Sequence, residues 1–578
     1  VVSNPPYSQS WDSTNKESDP RYSRFGLAPK TKADFAFLLH DLYHLKPDGI
    51  MTIVLPHGVL FRSGEEGKIR TQLIENNHID AIIGLPANIF FGTGIPTVIL
   101  VLKQKRQNSD VLIVDASKHF LKEGKNNKLQ ASDIKRITDA VINRESNPKY
   151  SQVVSKQTLR DNGYNLNIPR YVDSSAAAES WDLHATMLGG IPNSEIANLQ
   201  DYWQALPQLH KALFTPKSAA YSELAIDKEA VNATITQHPQ VVEFITRYNQ
   251  AFDGFDEYLN TTLIQGWSAV NRNQIEAELS EELFNRLAPI ALIDKYQAYQ
   301  HQNNQWQIIS ADLEMMQTES FAATKQVDPN IVIKKKDGKD IEVQDSAAPW
   351  KGHIMAFELV QQTYLSDGLA ALAKQESRLA EITSALEETL ESLSEEEKEQ
   401  DTVKESKDGF VYAEVGKAAK AFLKEQKESK TKFSAESYEA KIIKANKLID
   451  EEKALKKAVK EAQIALHLKT KTTIEGLTDE QVNELLHLKW ITPLSLELAA
   501  MPNAVITQLT SKVQALADKY AVTYSQVASE IKSTEQELAE MMCELTGNEF
   551  DMQGLNELTN LLKGAWDEWW IWNAEGWK

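Results

Sequence analysis

Residues 34–55 read Asp34-Phe-Ala-Phe-Leu-Leu-His-Asp-Leu-Tyr-His-Leu45-Lys-Pro-Asp-Gly49-Ile50-Met-Thr-Ile-Val-Leu55. Phe35, Leu38, Leu39, Leu42 and Leu45 recur at helical spacing, and Lys46-Pro-Asp-Gly49 breaks the run. Ile50 to Leu55 is then a short apolar stretch suited to a buried strand. The alternation continues outward. Residues 69–76 predict a helix, 79–85 and 97–102 two more buried strands, and 111–114 another that ends at Asp115. Upstream, Val1-Val2-Ser3 reads as the tail of a strand. Helices alternating with apolar strands predict an α/β doubly wound sheet over residues 1–172.

The chain has 578 residues, enough for three or four domains. It holds no run of about 18 apolar residues, so no transmembrane helix is expected. Its single cysteine, Cys543, excludes an internal disulfide framework and a Cys-based zinc site. A reducing, cytoplasmic setting is expected, and no metal. The net charge of −20 is unevenly spread. Residues 1–172 hold 23 Lys and Arg against 17 Asp and Glu, a net of +6, and the rest carries −26. A mildly basic section thus precedes a long acidic one, whose surface suits proteins or water better than nucleic acid. The first residue is Val and no signal or transit peptide is recognisable, so the chain is expected to be a piece of a longer protein that begins inside a domain.

Residues 173–364 read as mostly helical, with loops at Leu188-Gly-Gly-Ile-Pro192 and Lys334 to Asp340, the latter a solvated hairpin turn. Over 365–545 the pattern changes to long helices of coiled-coil or long-hairpin character. Leu372, Leu379, Leu386 and Leu393 recur every seven residues among charges. Core packing within the chain is the usual meaning of such heptads, and a partner helix is the alternative. The last segment, 546–578, is a Trp-rich tail with Trp566, Trp569, Trp570, Trp572 and Trp577.

Chemistry concentrates just after the first strand, in Asn4-Pro5-Pro6-Tyr7. Proline after Asn4 keeps Asn4 out of the helical region. Two successive prolines stiffen the loop and remove two backbone donors. What remains is a pair of acceptors, the Asn4 side-chain oxygen and the Pro5 carbonyl, beside the flat ring of Tyr7. Such a corner suits a planar substrate with an exocyclic NH2, of which adenine is one. The N6 lone pair is delocalised into the ring. Two acceptors, each taking one N–H, draw the nitrogen toward tetrahedral geometry and localise that pair for attack on an electrophilic methyl. The base must first leave the helical stack, and stacking on Tyr7 returns about 1–3 kcal/mol of that cost.

Further segments follow in order: Leu55-Pro-His57-Gly-Val-Leu60, Ile82-Ile-Gly-Leu-Pro86, Phe90-Phe91-Gly-Thr-Gly94-Ile-Pro-Thr97, Tyr164-Asn-Leu-Asn-Ile-Pro-Arg-Tyr171 and Gly189-Gly-Ile-Pro-Asn-Ser-Glu195. With the tetrapeptide they resemble the modification subunit (a DNA adenine-N6 methyltransferase) of type I restriction-modification systems, over residues 1–215 and loosely beyond. The resemblance implies that Asn4 and Pro5 accept from the target amine. Pro6 would hold the loop, Tyr7 would stack on the flipped adenine, and Phe90 or Phe91 would contact it from another side. Ordinary core packing is the alternative for the two phenylalanines. It also implies S-adenosyl-L-methionine as cofactor, DNA as substrate, a specificity subunit that reads sequence, and optionally a restriction subunit. The acidic helices over 365–545 would then be docking surfaces for other subunits. No membrane partner is implied.

The chain departs from that family in lacking its early glycine-containing cofactor loop. No G-x-G-x-x-G occurs, and Gly92-Thr-Gly94 precedes a strand rather than a helix. The cofactor site is therefore expected to lie mostly outside this chain, with residues 1–172 as the C-terminal part of the catalytic domain. Two other functions stay open: methylation of a glutamine side-chain amide, which offers the same planar NH2, and an interaction protein built on an inactive methyltransferase remnant. Arg62, Lys68 and Arg70 are a candidate group for the DNA backbone, with a solvated face as the alternative. His57 reads as a loop histidine, and Gly64-Glu-Glu-Gly67-Lys68 as a surface turn.

Overall fold

Short apolar strands bury both faces only if helices cover the sheet on either side. A computed structural model of the chain, which describes residues 1–90, 93–175, 181–336 and 339–562, shows how this is met. The elements that matter are β1 (Val2–Ser3), α1 (Asp34–His44), β2 (Ile50–Pro56), α2 (Glu65–Glu75), β3 (Ile79–Gly84), β4 (Thr97–Lys103), β5 (Val111–Asp115), the small hairpin β6–β7 (Leu121–Glu123, Asn126–Lys128), α3 (Ala131–Asn143) and β8 (Ser151–Val154). Six strands form one sheet in the order β1-β2-β4-β3-β5-β8. The pairs β1–β2 and β3–β5 are parallel. β4 runs antiparallel between β2 and β3, with Pro56 opposite Thr97 and Gly84 opposite Val98. β8 closes the far edge antiparallel to β5. The doubly wound sheet read from the sequence is thus mixed. The connection 85–96 contains no helix among its described residues, and without a crossover element the next strand can only return antiparallel.

Alternation along the strands assigns each side chain to a layer. Met51, Ile53 and Leu55 are fully buried, together with Val98, Leu100 and Leu102, under Leu38, Leu39 and Leu42 of α1 and Ile69 and Leu73 of α2. Ala81, Ile83, Leu112 and Val114 face the other way, against Ile137 and Ala140 of α3 and Tyr150. Each fully buried aliphatic side chain contributes about 1.5–3 kcal/mol. A one-residue slip of β2 would turn Met51, Ile53 and Leu55 together out of their layer, which is what holds the register.

One charged residue interrupts the apolar β3. Asp80 is 3% exposed and sits where the pairing of β3 with β4 shifts between Ile79 and Ala81. Its carboxylate meets Lys103 at 2.7 Å, Arg106 at 2.9 Å and Arg144 at 2.8 Å. Burial alone would raise the carboxyl pKa. The hydrogen bond from Lys103 and the charges of Arg106, Lys103 and Arg144 outweigh it and hold the group below the usual carboxylate range.

The described residues fall into two compact units. One comprises Val1–Asp253, Ala277–Asn304 and Glu497–Lys578, the other Gly254–Glu276 and Gln305–Leu496. In the first, the segment around residues 284–300 packs on α3: the Ser132 N–H donates to Gln300 Oε1 at 2.9 Å, and Arg136 and Lys135 lie over the rings of Tyr296 and Phe284. The Gly189-Gly190 pair has φ of 78° and 99°, backbone that only glycine takes without strain, and it leads into the strand Ile191–Pro192 of a small three-stranded sheet. In the second unit, α4 (Ser366–Glu391), α5 (Tyr412–Ser429) and α6 (Tyr438–Glu475) share one core containing Ile382, Leu386, Val415, Ala419, Ile442 and Ile449. α4 and α6 run antiparallel, with Gln463 bonded to Glu376 and Lys441 to the Ser392 carbonyl. Leu386 and Leu393 of the leucine heptad are buried in this core. The lysine run forms a hairpin, Ile331–Lys336 paired with Lys339–Gln344; its turn, Asp337-Gly338, lies outside the described residues. Two further helices of the first unit are α7 (Tyr524–Cys543) and α8 (Glu549–Asn560). The five tail tryptophans lie outside the described residues. No described helix is long and apolar enough to cross a membrane.

Two predictions follow from this packing. Asp80→Ala strands Arg106, whose side chain is 1% exposed. It is expected to cost about 3–5 kcal/mol, read as a lower urea midpoint for the transition that includes the sheet. Second, Glu75 at the end of α2 accepts from Arg160 at 2.8 and 2.7 Å and from the Tyr164 hydroxyl at 2.8 Å. The hydrogen bond from Arg160, then that from Tyr164, brings its pKa down to about 2. A carboxylate depressed by folding stabilises above its unfolded pKa and loses that contribution as pH falls from 4.5 through 2. The difference in thermal midpoint between wild type and Glu75→Gln should therefore be constant above pH 5 and close progressively below it.

Candidate functional site

In a wound sheet, ligands meet the loops at the carboxyl ends of the parallel strands. Four such ends converge here. β1 leads into Asn4-Pro5-Pro6-Tyr7, β2 into Pro56-His57, β3 into Leu85-Pro86, and β5 ends at Asp115. Because β4 is antiparallel, the connection 85–96 that feeds it lies along the same edge. This brings together two segments that stand far apart in the chain. The Tyr7 and Phe90 ring centroids are 6.4 Å apart with planes at 73°, an edge-to-face contact. Phe90 also packs on the core layer formed by Ile83, Leu85 and Ala116. It therefore has the core role and a place beside Tyr7 at once. Phe91 lies outside the described residues.

Asn4 is exposed and Tyr7 half-buried. The Tyr7 hydroxyl donates to Asn4 Oδ1 at 3.1 Å, which orients the amide oxygen and leaves it a second lone pair. No described residue donates to the Pro5 carbonyl. Burial raises the Tyr7 pKa, so the ring stays a neutral phenol. The loop is held from outside itself. Ser8, with φ of 52°, donates its N–H to Asp34 Oδ1 at 2.7 Å. Asp34 is fully buried in the first turn of α1, where the helix N-terminus favours a carboxylate. Beyond it the chain is zipped: Ala33 N–H to the Gln9 carbonyl at 2.8 Å, Trp11 N–H to the Lys30 carbonyl at 2.9 Å, and the Trp11 indole N–H to the Pro29 carbonyl at 3.0 Å.

The three cations read as a DNA-backbone group do not form one. Arg70 is 4% exposed and donates to the carbonyls of Tyr164, Val59 and Arg62 at 2.8, 3.0 and 2.9 Å. It is a buried brace. Arg62 is drawn inward by Asp34 at 3.4 Å and Glu66 at 3.3 Å. Lys68 alone of the three is exposed. Residues 62, 68 and 70 are close in sequence, but Arg62 lies in the turn before α2, and within α2 Arg70 falls on the packed side and Lys68 on the exposed one. No cluster of three metal-binding side chains occurs among the described residues. His40 and His44 stand one turn apart on α1 with rings 4.7 Å apart, and the Arg21 guanidinium sits 3.0 Å from His40 Nδ1.

Two acids at this edge escaped sequence reasoning. Asp34 was visible only as the start of a helix, and its partner Ser8 lies 26 residues away. Asp115 was visible only as the end of a strand. It is 6% exposed, accepts from the Ser117 N–H at 3.0 Å and pairs with the Ser174 hydroxyl. His57 is shifted down by burial, opposed by the charge of Asp115.

Residues 1–180 match the family model described as N-6 DNA methylase. The type I restriction enzyme MpnII methylase subunit of Mycoplasma pneumoniae is 42% identical over 188 residues, covering 32% of this chain and 35% of that protein. The MjaVII methylase subunit of Methanocaldococcus jannaschii is 33% identical over 197 residues, covering 32% and 34%. Among solved structures, the methyltransferase subunit of a type I restriction-modification system from Streptococcus thermophilus is 54% identical, covers 30% of this chain and 38% of that one, and superposes with a TM-score of 0.30. The chain spans about a third of the length of these curated relatives. Residues 1–180 are thus similar to N-6 DNA methylases and, at 42% and 33% identity, to parts of methylase subunits of type I restriction enzymes.

Proposed function

We propose that the corner at Asn4–Tyr7 receives an adenine extruded from DNA and methylates its N6 amine, with S-adenosyl-L-methionine as donor, inside a type I restriction-modification assembly. The observation that carries this reading is the meeting of a stiff, donor-free acceptor pair with the edge-to-face rings of Tyr7 and Phe90. The two rings offer apolar surface to the base, and Asn4 Oδ1 and the Pro5 carbonyl each accept one N6 hydrogen. Held so, the nitrogen lone pair leaves conjugation and points away from both acceptors. When bound, S-adenosyl-L-methionine supplies an electrophilic methyl. The proton lost from N6 is already hydrogen-bonded at an exposed edge and passes to water, so no strong general base is needed.

The described residues do not fit the donor by themselves. They contain no glycine-rich turn from strand to helix for its adenosine. At the turn after β2, a Cβ on Gly58 would stand 2.6 Å from the Arg62 guanidinium, so Arg62 fills that space. In this reading the donor's site lies mostly outside this chain. In this reading a specificity subunit reads the DNA sequence, and a restriction subunit optionally completes the assembly. A glutamine side-chain amide would suit the acceptors equally; the DNA methylase relatives favour the nucleobase.

The test is transfer of a tritiated methyl group to duplex DNA by the full-length, assembled enzyme. Asn4→Ala should lower kcat by about 10²–10³-fold while leaving the thermal midpoint unchanged, since Asn4 is exposed. Tyr7→Ala should weaken capture of the flipped base by about 1–3 kcal/mol, read as a smaller fluorescence rise from 2-aminopurine placed at the target position. Near-normal turnover in Asn4→Ala would refute the acceptor mechanism, and labelling of a glutamine peptide in place of DNA would overturn the substrate.

A further inference from the structure

The hairpin β6–β7 follows β5 and so rises from the same carboxyl edge as the acceptor corner. Its strands pair only with each other, and the chain reverses between them at Gly124-Lys125, where Gly124 has φ of 62°. A two-stranded hairpin is marginal on its own, and every side chain of this one is exposed except Asn127. Asn127 is the tether. Its backbone N–H donates to the Asn88 carbonyl at 3.0 Å and its side-chain amide to the Ala87 carbonyl at 2.8 Å. Ala87 and Asn88 belong to the connection that lays Phe90 against Tyr7. The hairpin is thus an arm fastened beside the corner rather than a part of either core layer.

Its charge says what the arm meets. Residues 116–130 hold four lysines and one acid, in a chain of net charge −20. Lys122 stands directly opposite Asn127 in the hairpin register, so it shares the face that Asn127 turns to the connection. The one acid, Glu123, is on the other face, 3.7 Å from Lys128. Lys118, Lys122 and Lys125 are exposed and meet no carboxylate among the described residues. An extruded base turns about its own backbone, so a strand whose base reaches Tyr7 carries its phosphates along this edge. We infer that β6–β7 is a phosphate-binding arm for the DNA strand that bears the target base, with Lys118, Lys122 and Lys125 on its phosphates. The inference rests on the reading of the Asn4–Tyr7 corner as an adenine site. Such contacts fix the position of the strand and carry no sequence information.

The test uses the full-length, assembled enzyme and the duplex of the methyl-transfer assay, labelled with fluorescein and titrated at several salt concentrations. The slope of log K against log salt counts the phosphates neutralised, and it should flatten by about 0.9 for each lysine removed in a Lys118→Gln, Lys122→Gln, Lys125→Gln variant. The matching Lys→Arg variant keeps the charges and should keep the slope. The control is Lys46→Gln with Lys105→Gln. Both lysines are exposed, in the turns before β2 and after β4, at the opposite edge of the sheet; their loss should leave the slope as it is. In methyl transfer the triple glutamine variant should raise KM for DNA and leave kcat unchanged. An unaltered slope in that variant would overturn the inference. So would an equal flattening per charge in the control, which would assign the effect to the overall field of the protein. Loss of subunit co-elution in the triple variant would also overturn it, by giving the arm to a protein partner. The slope is read without methyl transfer, so normal turnover in Asn4→Ala beside a flattened slope would remove the acceptor mechanism alone, and an unaltered slope beside a crippled Asn4→Ala would remove the arm alone.

Discussion

A loop of two prolines cannot fasten itself. Pro5 and Pro6 have no N–H, so the segment that follows β1 lacks the donors that would tie it back to the sheet. Its position is set by what comes next: the Ser8 N–H on the buried carboxylate of Asp34, at the first turn of the following helix. That single contact joins the acceptor corner to α1, and α1 is bound to the sheet by Leu38, Leu39 and Leu42. The other Asp34 oxygen faces Arg62, whose backbone carbonyl is in turn held by Arg70. The orientation of an exposed asparagine is thus inherited from a chain of buried polar contacts that ends in the hydrophobic core. A hydrogen bond to a charged group, screened from water, is stronger than one between neutral groups at the surface.

The antiparallel strand β4 has an equally direct consequence. Had the chain crossed over after β3 to a parallel strand, the connection carrying Phe90 would have included a helix on one face of the sheet. Returning antiparallel instead, it runs along the carboxyl edge and lays Phe90 against Tyr7. A rule about connection length therefore decides which aromatic side chains share a site.

The cations illustrate how position along a chain misleads. Arg62, Lys68 and Arg70 look alike in sequence, yet one is salt-bridged inward, one is exposed and one braces three backbone carbonyls. A buried guanidinium is stable only when its donors are satisfied, and Arg70 meets that condition with main-chain oxygens that no pattern in the sequence marks.

What was legible in the residues was local. Short apolar runs marked β2, β3, β4 and β5, helical spacing marked α1 and α4, and two successive prolines after a strand marked the acceptor corner, because hydropathy period and backbone restriction act within a few residues. Tertiary structure alone decided the strand order, the antiparallel sense of β4, the meeting of Tyr7 with Phe90, the burial of Arg70, the grip of Asp34 on Ser8 and the interleaving of two units along the chain. These depend on which buried groups find partners tens of residues away, and such partnerships are settled only when the whole core closes and every buried polar atom must be paired.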